Sequence, residues 1–173
     1  MLPDVALADL DESTLDDLLA AAVDGADPAE VMAPLPGERG WTAAQRAEFR
    51  AFHRRRSLAT ATPVERTFVV LADGRAAGAA RLEPVADGVE IGIWLARPWR
   101  GRGVGGRVVH LLAARAGGRE LVAETTSGNA AALRLLRTLG AELSTDGDDV
   151  HARLAPPRIL GGGTLDSAPA GGD

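Results

Sequence analysis

The sequence predicts a single α/β domain with a mixed sheet, in which an antiparallel meander is followed by a parallel strand-helix-strand crossover and a C-terminal hairpin. Three observations lead to this fold class. The chain has 173 residues, which suits one hydrophobic core and is too short for two ordinary domains. Alternating apolar runs in its middle are joined by Asp-Gly pairs. A glycine-rich turn then precedes residues with helical periodicity.

Two helices are predicted within the first 60 residues. Apolar residues repeat at helical spacing over residues 13–24, with a glycine just beyond the end. The stretch 26–40 is rich in proline and glycine and is predicted to be a loop. Thr42 and Gln45 then form a capping-box pattern, which starts a second helix that ends at about Arg56.

Three strands are predicted next, over residues 67–72, 76–84 and 89–95. Asp-Gly between such runs is a strong hairpin signal, because both central residues of a type I′ turn have positive φ. The two connecting pairs are Asp73-Gly74 and Asp87-Gly88. The three strands are therefore expected to form an antiparallel meander.

The remainder of the fold alternates helix and strand. Helices are predicted to begin at Val104 and Asn129, on either side of a strand over residues 120–126. This order gives one parallel crossover next to the meander. Two short strands around Asp146-Gly147-Asp148 are expected to complete the sheet as a hairpin.

The composition excludes several classes of protein. The chain has no cysteine, which removes disulfide frameworks, cysteine-ligated zinc and thiol nucleophiles. A net charge of −5 argues against general nucleic-acid binding, and no apolar run approaches the roughly 20 residues that cross a bilayer. We therefore expect a soluble cytoplasmic protein without nucleic-acid or membrane partners. Its domain is expected at residues 1–156, and residues 157–173 are predicted to be a disordered tail.

The segment 100–107 carries the strongest functional signal. It holds four glycines and three arginines between a predicted strand and a predicted helix. Backbone N–H groups in the first turn of a helix have no internal acceptor, and glycines let an anion approach them closely. A phosphate or pyrophosphate site is therefore expected. Its residues are Arg100, Gly101, Arg102, Gly103, Val104, Gly105, Gly106 and Arg107.

The glycine pattern of this turn also resembles other kinds of site. Gly101, Gly103 and Gly106 match the spacing of the dinucleotide-binding fingerprint, with Glu120 or Glu124 about 20 residues downstream. That fold needs successive parallel strand-helix units, whereas three antiparallel strands precede this turn. A Walker A loop is excluded because no Gly-Lys-Ser/Thr sequence follows. A tight turn with solvated arginines remains an alternative, although it does not require so many glycines.

Two motifs resemble those of the GNAT superfamily of N-acetyltransferases. Residues 100–105, Arg-Gly-Arg-Gly-Val-Gly, are similar to the family's Gln/Arg-x-x-Gly-x-Gly/Ala signature, which binds the pyrophosphate of acetyl-CoA. Residues 129–141 begin with Asn-Ala-Ala-Ala and end with Gly-Ala, similar to an Asn-x-x-Ala segment that ends in Gly-Phe. The order of strands and helices over residues 66–155 is also that of the family.

The resemblance implies how acetyl-CoA would bind. Backbone groups of Trp94, Leu95 and Ala96 would pair with the pantetheine arm, and one N–H would polarise the thioester carbonyl. Residues 100–107 would hold the pyrophosphate. Asn129 would contact the cofactor and could also cap its helix.

The resemblance also implies two candidate bases. An ammonium group must lose a proton before it can attack a thioester. Glu90 matches the base position of the histone-acetylating branch, and Glu124 matches that of the branch that acetylates ribosomal-protein N-termini. Many members also carry a tyrosine that protonates the departing thiolate. Its position here is Leu136, and the chain has no tyrosine, so CoA would leave as a thiolate or take a proton from water or a group such as Ser127.

The implied activity is transfer of acetyl from acetyl-CoA to a primary amine by direct attack in a ternary complex. The acceptor would be a small molecule or a peptide amine such as a protein N-terminus, with residues 1–60 on the acceptor side. Dimers are common in the family, which makes a homodimer one possible assembly. The missing tyrosine keeps open a non-catalytic acyl-CoA-binding module. The three histidines, His53, His110 and His151, show no metal-ligand spacing, so no metal site is predicted.

Overall fold

The computed structural model describes residues 1–156 as a seven-stranded sheet with helices on both faces. The tail expected at residues 157–173 lies outside these described residues. The elements are β1 (Val5–Asp9), α1 (Glu12–Gly25), α2 (Pro28–Val31), α3 (Ala43–His53), β2 (Arg66–Ala72), β3 (Arg75–Val85), β4 (Gly88–Leu95), α4 (Val104–Arg115), β5 (Leu121–Thr126), α5 (Ala130–Thr138), β6 (Glu142–Asp146) and β7 (Asp149–Leu154).

The strand order is β1-β2-β3-β4-β5-β7-β6. All neighbouring strands are antiparallel except β4 and β5, which are parallel. The predicted meander is β2-β3-β4, the crossover is β4-α4-β5, and the C-terminal hairpin is β6-β7. The predicted fold class is therefore confirmed.

Two elements were missed by the sequence prediction. The edge strand β1 was not predicted because it is short and holds only two large apolar residues, Val5 and Leu7. Their alternation was the available signal. Helix α2 lies inside the stretch 26–40 that was predicted to be a loop. The Asp27 amide donates to the Glu30 carboxylate at 2.7 Å, so the Asp-Pro-x-Glu sequence here was a helix-start signal.

Local capping explains where the N-terminal helices begin. The amides of Ser13 and Thr14 both donate to the Asp11 carboxylate at 2.8 Å, which satisfies first-turn donors of α1. Thr42 accepts the Gln45 amide at 3.2 Å at the start of α3. The second predicted helix is slightly different in the structure, because α3 ends at residue 53 and a turn of π-helix, Arg54–Leu58, continues it.

The sheet separates two apolar cores. One core lies between the sheet and α4 with α5, and it includes Phe68, Val108, Leu112 and Leu136. The other lies under α1 and α3 and is centred on Phe49 with Leu15 and Leu18. No helix within residues 1–156 is long and apolar enough to cross a membrane.

Candidate active site

The parallel strands β4 and β5 separate to form a split. They are paired only at Val89 with Leu121 and at Glu90 with Val122, although both strands continue for four or more residues. Beyond these pairs the facing edges have no ladder partner in the described structure. The split therefore leaves backbone donors and acceptors of β4 available along one edge.

Alternate amides of β4 face this split. The Val89 amide donates across to the Glu120 carbonyl, which precedes β5, at 2.9 Å. Successive residues of a strand direct their backbone groups to opposite sides. The next amides on the same side are therefore those of Ile91, Ile93 and Leu95.

This alternation refines the predicted backbone contacts of β4. Leu95 directs its backbone toward the split, whereas Trp94 pairs with Ala79 on β3. Ala96 directs its amide away from the split, because that amide donates to the Ala77 carbonyl at 2.8 Å, and its carbonyl accepts from the Trp99 amide at 2.9 Å. Ala96 is also buried, so its backbone supports the predicted contact less than that of Leu95.

A bulge in β3 lies beside the open end of β4. The register between β2 and β3 shifts next to Val70 and leaves Ala77 as an extra residue. Such bulges increase the local twist of a strand pair. The neighbouring Gly78 approaches β4 so closely that an added Cβ would lie 2.1 Å from the Trp94 carbonyl oxygen. The bulge and this glycine therefore shape the end of β4 near Leu95, five residues beyond its last pair with β5 at Glu90.

The N-terminus of α4 lies where β4 ends. Gly101 and Gly103 have φ values of 69° and 79°, and Gly103 is the N-cap residue and provides no side-chain cap. The amides of the first turn, Val104, Gly105 and Gly106, thus have no intrahelical acceptor. They form an uncapped donor group of the kind that binds anions.

The three arginines of the predicted phosphate site have protein partners. Arg100 pairs with Glu30 of α2 at 2.8 Å and donates to the Leu95 carbonyl at 2.7 Å. Hydrogen bonds, first from Arg100 and then from the Asp27 amide, lower the pKa of Glu30. The other two guanidinium groups are also engaged, since Arg102 lies 5.1 Å from the centre of the Trp99 ring and Arg107 donates to the Pro3 carbonyl at 3.2 Å. Each guanidinium therefore has part of its donors engaged, whereas the backbone amides of the first turn have no acceptor within the helix.

Gly105 and Gly106 lie where α4 packs against α5. An added Cβ at Gly105 would lie 3.2 Å from a methyl carbon of Leu135, and one at Gly106 would lie 3.8 Å from the same side chain. Gly105 therefore permits the close approach of the two helices in addition to any role toward a ligand.

The start of α5 follows β5 closely. Asn129 is its N-cap and accepts the Ala132 amide at 3.1 Å, so the capping role considered in the sequence is present. Leu136, at the position of the family's tyrosine, is 5% exposed and belongs to the core. Ser127 donates its hydroxyl to Asp148 at 3.0 Å.

Glu90 belongs to a compact ion-pair network under α3. Arg81 binds the Glu90 carboxylate and also Glu83, the latter at 2.6 Å. Arg56 binds both Glu83 and Glu65 at 2.7 Å, and the Glu65 side chain is only 1% exposed. The carboxylate of Glu90 is therefore already engaged by a guanidinium.

The network was missed in the sequence, although a signal for it was present. The Asp-Gly turn between β3 and β4 aligns Glu83 with Glu90. Like charges directly opposite one another are destabilising, so this register alone requires a nearby cation. Arg81 supplies it from the same face of β3.

Glu124 lies in a different environment. Its side chain is 67% exposed, and Oε1 lies 3.3 Å from Nδ1 of His151 on β7. Within residues 1–156, His151 is the ion-pair neighbour of Glu124, and no arginine lies within ion-pair distance of this carboxylate. No local pattern in the sequence indicates this contact, since it depends on the pairing of β5 with β7.

A cleft of about 430 Å³ joins the two predicted bases on one face of the sheet. Glu90 is aligned with Val122, so Glu124, two residues further, points to the same face. His151 is opposite Glu124 in the β5-β7 ladder and also lines the cleft. The structure therefore brings Glu90, Glu124 and His151 together beside the split.

The other two histidines lie away from this cleft. His53 is 3% exposed, neither of its ring nitrogens has a hydrogen-bond partner, and burial lowers its pKa to about 4. His110 is exposed on α4, where its Nδ1 lies 2.7 Å from the Gly106 carbonyl. Among the described residues, no group of three His, Asp or Glu side chains is arranged to hold a metal ion.

Comparisons with known proteins agree with this architecture. A family model described as an acetyltransferase (GNAT) domain matches residues 5–142. None of the curated proteins matches the chain in sequence. Many solved structures share the fold, and three of them are informative.

Mutant forms of the spermidine/spermine N-acetyltransferase SpeG from Vibrio cholerae are 15% identical with a TM-score of 0.62, over 88% of this chain and 94% of that chain. The ribosomal-protein-S18-alanine N-acetyltransferase from Escherichia coli is 16% identical with a TM-score of 0.61, over 90% and 96%. The N-acetyltransferase PseH from Campylobacter jejuni, in complex with acetyl coenzyme A, is 15% identical with a TM-score of 0.62, over 89% and 100%.

At these identities the structural likeness shows the fold, and the family model adds the sequence relationship. That model spans most of the chain, including the split strands, the glycine turn and α5. The chain belongs to the GNAT family of acetyltransferases.

Proposed function

We propose that this acetyltransferase moves the acetyl group of acetyl-CoA to a primary amine by direct attack in a ternary complex. The observation that carries the proposal is the split edge of β4, which leads to the uncapped N-terminus of α4. An extended chain with amide groups and a diphosphate at one end suits such a surface, because it can pair with a strand edge and then reach free amides.

The glycine turn fits a diphosphate. Gly101 has no atom within 4 Å of an added Cβ, and Gly103 has only a methyl carbon of Leu2 at 3.2 Å. The amides of Val104, Gly105 and Gly106 would then donate to phosphate oxygens, which the dipole of α4 favours. Arg100 and Arg102 lie close enough in sequence to add charge, although each also has a protein partner.

The amides that face the split are suited to the acyl end of the same ligand. Leu95 and Ile93 direct N–H groups toward the space between β4 and β5, and Asn129 lies at the start of α5, just after β5. One of these amides would donate to the thioester carbonyl oxygen. A donor of this kind stabilises the developing oxyanion by on the order of 3 kcal/mol.

Glu124 is the better candidate for the group that accepts the proton of the ammonium. Glu90 is bound by Arg81 and lies within a network that includes a buried carboxylate. A carboxylate whose oxygens are bound by a guanidinium is less available to take a proton from the acceptor. Glu124 is exposed to the cleft and has no such partner within the described residues.

The departing thiolate does not need a dedicated acid. A thiol has an ordinary pKa of about 8.5, so its thiolate is a tolerable leaving group near neutral pH. The buried Leu136 supplies no proton at the position of the family's tyrosine. We therefore infer that sulfur takes a proton from the attacking nitrogen or from water.

The acceptor is proposed to be a small-molecule amine or a peptide N-terminus. Similar structures include one named for spermidine and spermine and one named for the alanine of a ribosomal protein. Both kinds of acceptor are cationic before reaction, and the cleft contains the carboxylates of Asp87, Glu90 and Glu124. Opposite charge would attract such a group to the cleft.

The test measures CoA thiol release with spermidine, other primary amines and short peptides with free N-termini, with mass spectrometry of the products. We expect amine-dependent release from the wild-type protein. Glu124→Gln should lower kcat by about 100-fold or more, which is typical for loss of a general base. Glu90→Gln should keep kcat within about tenfold, since Glu90 is not the assigned base.

Two results would contradict the proposal. CoA binding without thiol release for every amine would favour a non-catalytic acyl-CoA-binding module. Loss of turnover in Glu90→Gln with normal turnover in Glu124→Gln would move the base from β5 to β4.

A further inference from the structure

We propose that His151 is a positioning and proton-relay residue, which takes up the proton that Glu124 accepts from the amine and passes it to water. The inference rests on the proposed function and names a further residue of the same site. Its basis is the contact between Glu124 and His151, together with the place of both side chains on the face of the sheet beside the split.

Strand pairing places the two side chains next to each other. Glu124 is on β5, which borders the split, and His151 is its direct partner on β7. The Glu124 Oε1 lies 3.3 Å from the His151 Nδ1. His151 is one strand further from the split, and 49% of its side chain is exposed, against 67% of the Glu124 side chain. A proton that Glu124 takes up at the split can therefore pass to the neighbouring imidazole, which reaches solvent.

The charged groups around His151 leave Glu124 as its partner. The groups on the same face, judged from strand register, are Glu90, Glu124, Glu142, Asp146, Asp149 and Arg153. Arg153 is held by Glu120 at 2.6 Å and lies 3.9 Å from Asp87, so its charge is compensated by other carboxylates. Within residues 1–156, Glu124 is the carboxylate within ion-pair distance of His151.

An imidazole is chemically suited to this position. It accepts a proton on one ring nitrogen and can release one from the other. An imidazole binds a proton more tightly than a carboxylate does, so proton transfer from a carboxylic acid to an imidazole is favourable.

The complete reaction conserves atoms and charge. Glu124 takes one proton from the ammonium, and the neutral nitrogen attacks the thioester carbon. The C–N bond forms, the C–S bond breaks, and the second proton of the nitrogen goes to sulfur. The first proton passes from Glu124 to Nδ1 of His151 while a proton leaves Nε2 to water. Ammonium and acetyl-CoA thus give amide, CoA thiol and one proton in solution.

The test compares His151→Ala, His151→Gln and the control His110→Ala in the full chain, with kcat, KM, CoA affinity and pH profiles. We expect His151→Ala to lower kcat by about 10- to 100-fold, as loss of an orienting partner typically does, with CoA affinity unchanged within twofold. His110→Ala removes an exposed histidine outside the cleft and should keep wild-type kcat.

Two readouts separate a relay from a structural role. Free imidazole should restore at least part of the kcat of His151→Ala, because the half-exposed site can admit it, and should not affect His110→Ala or Glu124→Gln. His151→Gln can still contact Glu124 but cannot take up a proton. Its kcat should stay low, and the acid limb of its pH profile should differ from that of the wild-type protein, because the group that takes up the proton is missing.

Wild-type kcat in His151→Ala, or full kcat in His151→Gln, would overturn the relay while leaving acetyl transfer intact. A loss in His151→Ala that imidazole does not reverse, together with a fall in unfolding free energy, would also overturn it. Absence of turnover in the wild-type protein would contradict the proposed function itself, and the relay with it.

Discussion

Gly103 is the N-cap residue of α4 and precedes the amides that are proposed to bind a diphosphate. Its φ of 79° lies in the left-handed region, which favours glycine. As the N-cap it contributes no side-chain acceptor, so the amides that follow remain free for a ligand. A side chain with an oxygen at this position would compete for them.

We predict that Gly103→Asp lowers CoA affinity by about 100-fold or more. The new carboxylate would accept the amides of the first turn, as N-cap aspartates do, and would repel the diphosphate. Isothermal titration calorimetry with CoA measures the effect. Gly118→Asp is the matched control, because Gly118 has the same φ of 79° and no atom within 4 Å of an added Cβ. Normal CoA affinity in Gly103→Asp would contradict a diphosphate site at α4.

Single residues of the turn were predictable only in part. A turn with positive φ is specified by the few residues that form it, and glycine adopts such angles without steric cost. The glycines of the turn were therefore a signal that could be recognised from the local sequence. The partner of Arg100 is Glu30, which lies 70 residues earlier in the chain. This ion pair depends on the packing of α2, an element that the sequence prediction did not contain. The glycine turn therefore had a local signal in the sequence, whereas the protein partners of its arginines did not.

At the scale of elements, hairpins were easier to predict than the split. Asp-Gly turns place neighbouring strands in register without reference to the rest of the chain. The point at which β4 leaves β5 instead depends on how these two strands meet, and their pairing ends at Glu90 and Val122. The strands β4 and β5 are connected through α4 and not by a turn motif, so the sequence indicated the crossover without the length of its paired segment.

Helix α3 buries a histidine without hydrogen-bond partners. His53 packs edge-on against Phe49, with ring centres 4.6 Å apart, and neither ring nitrogen has a polar partner. Burial lowers the pKa of this imidazole from 6.5 to about 4. The folded protein therefore holds His53 neutral at pH values where the unfolded chain already binds a proton.

This histidine predicts a loss of stability in mild acid. Because its folded pKa is depressed, the contribution is fully present above pH 6.5 and is lost as the pH falls toward 4. The full loss corresponds to about 3 kcal/mol of unfolding free energy. Urea unfolding at several pH values measures it. His53→Phe should remove this part of the pH dependence and keep or raise stability at pH 7, since it removes two unpaired buried nitrogens.

The matched control for that measurement is His110→Ala. His110 is exposed on α4, so its removal should leave the pH dependence of unfolding as it is in the wild-type protein. If His53→Phe lost stability between pH 7 and pH 4 as steeply as the wild-type chain, another group would be responsible.

For the molecule as a whole, the sheet is the common wall of two cores. Residues that alternate along β2 supply both, since Phe68 and Val70 belong to the core under α4 and Val69 belongs to the core under α1 and α3. The cleft that contains Glu90, Glu124 and His151 lies on the second of these faces. The glycine turn lies at the end of β4. Under the proposed function, the split therefore brings acetyl-CoA and the amine together.

The C-terminal hairpin is essential to the sheet, because β7 lies between β5 and β6. Every strand and helix of the described structure ends by Leu154. Val150, Ala152 and Leu154 are buried on β7, and β7 also provides His151. A chain cut before β7 would leave β5 as an unpaired edge and β6 without a partner.

Two truncations therefore should behave differently. A chain that ends at residue 156 keeps all of these elements, and we expect its free energy of unfolding to match that of the full chain within about 1 kcal/mol. A chain that ends at residue 148 lacks β7. It loses about 3–6 kcal/mol from the burial of Val150 and Leu154 alone, a large part of the roughly 5–15 kcal/mol that stabilises a domain. Urea unfolding followed by circular dichroism should show a cooperative transition only for the first. A similar loss in the chain that ends at residue 156 would mean that residues 157–173 contribute to the fold.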